Sequence, residues 1–433
     1  MSTHAREISS STSTWQNWSG GQKAQPAHIF YPENEQVLTE YIRKTQGAIR
    51  VVGGGHSFSP LVPTNGTLIS LEEIAGLVNH DAAALTATFH AGTHIYAMGP
   101  ALRAIGQGLA NEGDINLQSL AGVVSTATHG TGRQLQCYSA MTTALRVVLA
   151  DGSTVQCSAE KEPELFAAAR VALGGIGVLS QITLQNRAAY RLREEINVQP
   201  INEVLTTIHN ERDQHRHIEF FAFPYGKKAI IKRLNLTEEE STPPLKPLID
   251  ENALLEFAAD TARKYPKANP WIQKLIGVFV SNTVRVGNSS DIFPAPRTVA
   301  FNEMEYSLPA DRGIECFQEI LATMQKANIN VFFPIEFRYV AADDCWLSPF
   351  YERASVAISV HQYYKQDYHE FFKLVEPIFW KYQGRPHWGK LHTLTAPKLR
   401  ELYPRFDDFL KVRQQVDPQG RFLNDHLKKI FLG

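Results

Sequence analysis

Val51-Val52-Gly53-Gly54-Gly55-His56-Ser57-Phe58 follows a short β-branched run and puts one histidine at the exit of a glycine turn. Three consecutive glycines let the backbone take positive φ angles and bring bare N–H groups close to an anion such as a pyrophosphate. The stretch that follows, Ser59-Pro60-Leu61-Val62-Pro63-Thr64-Asn65-Gly66, holds two prolines and a turn signal, so no helix starts there with its N-terminus aimed at a phosphate. A Rossmann fingerprint would need a third glycine where Phe58 stands. It would also need a crossover helix where the chain instead turns into a strand, Thr67-Leu68-Ile69-Ser70-Leu71. The turn therefore reads as an anion cradle in an α+β domain that is not doubly wound.

A second segment rich in glycine and hydroxyl groups runs from Gly113 to Gly132. It reads Gly113-Asp114-Ile115-Asn116-Leu117-Gln118-Ser119-Leu120-Ala121-Gly122-Val123-Val124-Ser125-Thr126-Ala127-Thr128-His129-Gly130-Thr131-Gly132. With so few bulky side chains it would pack poorly as an ordinary helix or strand, and it offers backbone donors and hydroxyls to a large flat ligand.

Together these loops resemble the FAD-binding loops of the vanillyl-alcohol oxidase (PCMH-type FAD) superfamily. His387-Trp388-Gly389-Lys390 and the ending Asp417-Pro418-Gln419-Gly420-Arg421-Phe422-Leu423-Asn424 narrow the resemblance to its sugar oxidases: gulonolactone and arabinonolactone oxidases, with alditol oxidases close by. It runs in blocks from about Pro32 to the last residue. The resemblance implies a PCMH-type FAD-binding domain of two α+β subdomains, and a substrate cap with an antiparallel sheet flanked by helices. The implied division is 1–190 for the FAD domain, 191–385 for the cap, and 386–433 for a segment returning to the FAD domain.

Composition agrees with a soluble enzyme of more than one core. The chain has 433 residues, 43% apolar and 20% charged, with a formal net charge of −1. No basic tail or stripe points to nucleic acid. Met1-Ser2-Thr3-His4-Ala5-Arg6-Glu7 and the Ser/Thr run after it lack the apolar core of a secretory signal, and no apolar run reaches bilayer length. Cys137, Cys157, Cys316 and Cys345 are scattered without metal-ligand spacing. The expectation is a cytoplasmic protein with reduced thiols and no structural metal, its oligomeric state open with a monomer favoured.

Periodicity predicts helices over 35–46, 94–108, 163–173, 201–210 and 313–328. It predicts strands over 218–223, 331–340 and 354–364, and a hairpin turning at Asp151-Gly152. The stretch Thr237-Glu238-Glu239-Glu240-Ser241-Thr242-Pro243-Pro244 reads as a solvated loop.

Read alone, His56 is best taken as a turn histidine with a local hydrogen bond; within the resemblance it is the residue that carries FAD covalently. Its neighbours Gly53, Gly54, Gly55, Ser57 and Phe58 are implied to hold the cofactor. So are Gly113, Ser119, Gly122, Ser125, Thr128, His129 and Gly130 in the second loop, and Gly177 and Val178 at the adenine end. The His129 side chain is equally well a structural hydrogen-bond donor, and Ala127 stands where the family loop often has glycine.

Glu336 and Arg338, two apart on one strand face amid Phe332, Phe333, Ile335 and Phe337, are equally well a structural ion pair or a functional one. The resemblance makes them the pair that faces the flavin and holds substrate hydroxyls. Ser359, His361 and Tyr363 alternate on a neighbouring strand and are candidates for the same pocket, a satisfied core histidine being the rival reading for His361. Lys390 follows proline, tryptophan and glycine in a rigid loop; by resemblance it lies at the pyrimidine edge, where a cation offsets charge as the ring takes up hydride.

The implied reaction is hydride transfer from a carbinol carbon of an aldono-1,4-lactone, such as D-arabinono- or L-gulono-1,4-lactone, to flavin N5. Ser119, Glu336, Arg338, Tyr363 and Lys390 contact the substrate, and His361 or Glu336 takes the hydroxyl proton. Oxygen as acceptor would yield hydrogen peroxide. Open-chain polyols such as xylitol and sorbitol, a non-oxygen acceptor, and a non-catalytic flavin-binding protein remain the alternatives.

Overall fold

A computed structural model describes residues 6–9, 14–243, 251–279, 282–295 and 297–433; Pro244, the end of the acidic stretch, and residues 1–5 lie outside them. The glycine turn leaves a four-stranded sheet whose order is Arg6–Ser9, His28–Tyr31, Thr67–Ser70, Ile49–Val52. The last three strands are mutually parallel. Helix Glu35–Lys44 contributes the buried side chains Leu38 and Ile42, and Asn34 caps it by accepting from the Val37 N–H.

A five-stranded antiparallel sheet follows, in the order Thr154–Ser158, Thr142–Val148, Val178–Gln185, Thr86–His90, Leu77–Asp81. Its first two strands are the predicted hairpin.

The third sheet has eight antiparallel strands, ordered Thr283–Asn288, Arg191–Pro200, Lys228–Thr237, His217–Ala222, Ile335–Val340, Ser355–Tyr363, Phe301–Pro309, Arg385–Pro386. Its two faces differ in kind. On one, Phe220 and Phe337 stack at 4.8 Å between ring centroids, and Phe317 of helix Gly313–Ala327 closes on Phe220 edge-on at 5.0 Å. Tyr306 stacks on Phe379 of helix His369–Lys381 at 4.8 Å. Each such fully buried ring contributes roughly 2–3 kcal/mol of burial free energy. The opposite face carries Glu219, Lys232, Glu303, Glu305, Glu336, Arg338, Ser359 and His361. All but Arg338 are buried to below a tenth of their surface, and Arg338 is nearly so.

The last helices, Ala396–Leu402, Phe406–Val416 and Asp425–Phe431, return to the first sheet. Asp417 accepts from the N–H groups of Arg421 and Phe422, shaping a turn from which the Asn424 amide donates to the Pro60 and Pro63 carbonyls, each at 2.9 Å. Arg50, on the strand leading into the glycine turn, donates to the carbonyls of Leu61, Leu173, Gly174 and Phe422. The Asp-Pro-Gln-Gly-Arg-Phe-Leu-Asn ending is thus a tie between the two ends of the chain.

The strand expected over 331–340 begins only at Ile335, because Pro334 has no N–H to give the ladder. Strands Arg191–Pro200, Lys228–Thr237, Thr283–Asn288 and Phe301–Pro309, and helices Glu251–Lys264 and Asn269–Phe279, were not anticipated. No helix among the described residues is long and apolar enough to cross a membrane.

Candidate active site

The two small-residue loops meet face to face. A Cβ on Gly53 would stand 1.9 Å from Ser119 Oγ, and one on Gly54 2.3 Å from the Leu117 carbonyl oxygen, so the second loop itself requires glycine at both positions. Gly55 is needed for another reason, a φ of +68°. Between the loops lies an open cleft walled by Gly53, Gly54, Gly55, His56, Ser57, Ser119, Gly122 and Ser125, with Gly177 and Val178 also on its wall. Ala127 takes the left-handed conformation, φ +54°, which accounts for glycine being at home there; alanine costs about 1 kcal/mol in that region.

His56 lies on the cleft wall, stacked on Trp18 at 5.7 Å. Burial first, then the nearby charges of Lys390 and His94, push its pKa down to about 4. At neutral pH the ring is uncharged and one nitrogen keeps its lone pair. No hydrogen bond holds that ring among the described residues, contrary to the turn-histidine reading. A cleft lined by glycines and hydroxyls, with a neutral imidazole on its wall, fits FAD.

Other residues assigned to the cofactor do not line this cleft. Phe58 is buried beneath Lys390, whose Nζ sits 4.9 Å from its ring centroid. Gly113, Thr128, His129 and Gly130 lie at the base of the second loop, toward the eight-stranded sheet. Gly130 is packed there on the Glu112 carbonyl. His129 donates from Nε2 to Glu305 Oε1 at 2.8 Å, and its Nδ1 lies 2.8 Å from the Gly130 carbonyl. The side chain is a buried tie between loop and sheet.

On the polar sheet face Glu336 and Arg338 form an ion pair. Arg338 also donates to Glu219 at 2.7 Å and to Asp114 at 2.8 Å, so its guanidinium is held by three carboxylates. Lys232 adds contacts to Glu219 at 3.2 Å and to Asp114 and Glu194 at 3.6 Å. Asp114 comes from the second loop, and this network joins loop to sheet. Burial opposes the ionisation of Asp114, yet Lys232 and Arg338 hold its pKa below the usual carboxylate range. Glu336 goes the other way. Burial, with help from Glu219 and Asp114 and against the pull of Arg338, raises its pKa to about 7. Its Oε1 is the atom that meets Arg338.

His361 lies 2.9 Å from the Pro334 carbonyl through Nδ1, which must therefore carry the proton, and turns Nε2 toward Glu303 Oε1 at 3.5 Å. Lys390 Nζ stands 2.5 Å from Glu303 Oε2. Burial works against the charge on Glu303, but Lys390 and His361 outweigh it and keep its pKa at about 2. The Lys390 loop is anchored by Trp388, which is buried against Tyr403 and donates to the Leu347 carbonyl at 2.6 Å.

Ser359 stands across from Glu336 in the strand register and donates to Glu305 at 2.7 Å. Tyr363 is fully buried in an aromatic cluster against Phe333, with the Lys365 ammonium 5.4 Å from its ring centroid. Asp114, Glu219, Lys232, Glu303 and Glu305 join these candidates in the structure and were not singled out by the sequence reading. Glu303 and Glu305 had a usable signal, two acids two apart in the alternating run Phe301-Asn302-Glu303-Met304-Glu305-Tyr306.

Residues 182–430 match the family model described as D-arabinono-1,4-lactone oxidase, and residues 26–158 match that of an FAD binding domain. The chain is 35% identical over 424 residues to an L-gulono-1,4-lactone dehydrogenase of Mycobacterium tuberculosis, covering 96% of this chain and 98% of that one. It is 28% identical to the L-gulonolactone oxidase of Mus musculus, with 96% and 98% covered. It is 24% identical to an alditol oxidase of a Streptomyces species, with 96% and 99% covered. In fold it is similar to the crystal structure of cholesterol oxidase from B. sterolicum, with a TM-score of 0.83 at 17% identity over 99% of this chain and 97% of that one.

Proposed function

The chain belongs to the D-arabinono-1,4-lactone oxidase family, and from that premise we propose that it oxidises a carbinol group of an aldono-1,4-lactone, D-arabinono- or L-gulono-1,4-lactone being the substrates to try first. It is an FAD-linked oxidoreductase. In this reading residues 1–190 bind FAD, 191–385 cap it, and 386–433 return to the FAD domain to present Lys390. The observation that carries the reading is the convergence of His56 on the cleft wall with Lys390, Glu303, His361 and Glu336 on the sheet face, Lys390 being close enough to shift the pKa of His56.

FAD, held by the glycine turn and the second loop and attached through His56, supplies the acceptor for a hydride. The chain's own groups do the rest. Glu336, with a pKa raised to about 7, is placed to bind a substrate hydroxyl either as donor or as acceptor. Arg338 is held rigidly by its carboxylates and fixes Glu336 in turn. His361 Nε2 is the group we assign to take the hydroxyl proton, because its Nδ1 proton is committed to Pro334 and an anion faces the ring. Ser119, at the loop contact, lies where it would touch substrate or cofactor. Tyr363 has no part in this scheme.

Oxygen is the acceptor we assign, and the cytoplasm the location. Oxygen uptake and peroxide formation by the purified protein, across a panel of aldonolactones and of xylitol and sorbitol, test the reading. Uptake with the lactones supports it, and uptake with polyols alone makes the chain an alditol oxidase. Turnover only with an added dye makes it a dehydrogenase, the activity named for the relative from M. tuberculosis. Acid precipitation tests the bond to His56: flavin colour stays with the pellet of the wild-type protein and leaves that of His56→Ala.

A further inference from the structure

Two of the candidates on the sheet face, His361 and Lys390, meet one carboxylate that no motif pointed to. Glu303 stands directly across from His361 in the strand register and is 4% exposed. One of its oxygens is 2.5 Å from Lys390 Nζ and the other 3.5 Å from His361 Nε2. The remaining neighbours of these two groups are in place as well. Glu336 shares a cluster with Glu303 and His361, their polar atoms lying within 4.8 Å of one another. Phe301 meets the His361 ring edge-on at 4.9 Å, and the Phe58 ring lies under the Lys390 ammonium.

We infer that Glu303 is a positioning residue of the reaction, pinning the Lys390 ammonium beside the cleft and presenting an anion to His361 Nε2. The inference rests on the functional reading above, in which Lys390 faces the bound flavin and His361 takes the substrate proton. A lysine ammonium rides on a flexible four-carbon stem, and a charge-assisted contact in a buried site selects one of its many rotamers. The same contact compensates part of the lysine's charge in the resting protein. The second oxygen does separate work. When a proton arrives at Nε2 the ring becomes a cation, and a fixed anion 3.5 Å away favours that product.

The two roles pull two measurable quantities in opposite directions. Glu303→Gln keeps the shape and removes the charge. In the holoprotein the oxidised flavin's affinity for sulfite, a small anion that reports positive charge beside the ring, should rise about tenfold, since Lys390 is no longer compensated. Anaerobic flavin reduction by lactone should meanwhile slow by about thirtyfold or more, since His361 has lost its anion. Glu303→Asp, which keeps the charge, should return sulfite affinity to the wild-type value and recover part of the reduction rate. A residue that only supports the fold would lower both quantities when replaced. Sulfite affinity that stays level or falls in Glu303→Gln overturns the proposal, as does a reduction rate equal to wild type. If no lactone or polyol reduces the wild-type flavin, the functional reading fails on its own; the sulfite comparison needs no substrate and still decides whether Glu303 compensates Lys390.

Discussion

The cleft and the sheet face are built from opposite materials. The cleft wall is glycine, serine and one neutral imidazole, and most of what it offers a ligand is backbone. The sheet face across from it is among the most heavily charged surfaces of the chain, and it is buried. Backbone donors cost nothing to leave facing a cleft that water or a ligand fills, whereas each buried charge must be matched by another. The sheet face meets that demand by cross-linking: Asp114 of the loop, Glu219, Lys232 and Arg338 satisfy one another across three strands. Glu303 is taken up by Lys390 and His361, and Glu336, with its pKa raised to about 7, is the member that stands apart from the fully ionised ones.

The largest effect expected from breaking this contrast is on the charged side. Arg338→Met leaves Asp114 and Glu219 short of a cation, and removing one partner from a buried ionic network costs about 3–5 kcal/mol. The variant should melt well below wild type and show no flavin reduction by lactone. A melting temperature equal to wild type would mean that the network carries no stability.

On the cleft side the sensitive feature is clearance. Gly53→Ala puts a methyl where Ser119 Oγ stands, so the second loop must shift and FAD loading should fall severalfold or more; adding Ser119→Gly to it should restore loading. Loading that is normal in the single variant would remove the claim that the two loops are fitted to each other.

Glu336 gives a smaller effect with a sign of its own. Its folded pKa of about 7 lies above the 4.5 of an ordinary glutamate, so folding favours its protonated form. The stability it contributes is fully present below about pH 4.5 and is lost as pH rises through 7. Glu336→Gln, uncharged throughout, should therefore melt closer to wild type at pH 5 than at pH 8, and be the more stable of the two at pH 8. Parallel melting curves across that range would contradict the assignment.

Tyr363→Phe should do least. The ring sits in an aromatic cluster beside Lys365, so flavin reduction should stay within about threefold of wild type. A loss of a hundredfold would return Tyr363 to the substrate site.

The same contrast decides what was legible in the sequence. The cofactor loops could be read because their chemistry is local: Gly53 to Phe58 and Gly113 to Gly132 are continuous, and a run of glycines serves little besides a tight turn or a close backbone approach. Even there the reason for Gly53 and Gly54 was hidden, since it lies in Ser119 and Leu117, some sixty residues away. Glu336 and Arg338 could be singled out because two opposite charges two apart among aromatics are conspicuous on one strand. Asp114, Glu219 and Lys232 were missed because each is an ordinary polar residue in its own segment, and Glu303 because its alternation with Glu305 was passed over. They become a site only when five strands and a loop align in register. Tyr363 failed for a related reason, in that sharing a strand face with His361 did not bring it to the same end of the pocket.

Everything above turns on the charged sheet face delivering a sugar lactone to a flavin held in the glycine cleft. Anaerobic mixing of the purified, flavin-loaded protein with L-gulono- or D-arabinono-1,4-lactone tests this without regard to the final acceptor. The visible flavin absorbance should bleach at a rate that saturates with lactone concentration, and far more slowly in Glu336→Gln. A flavin that stays fully oxidised with every lactone and polyol in the panel would contradict it.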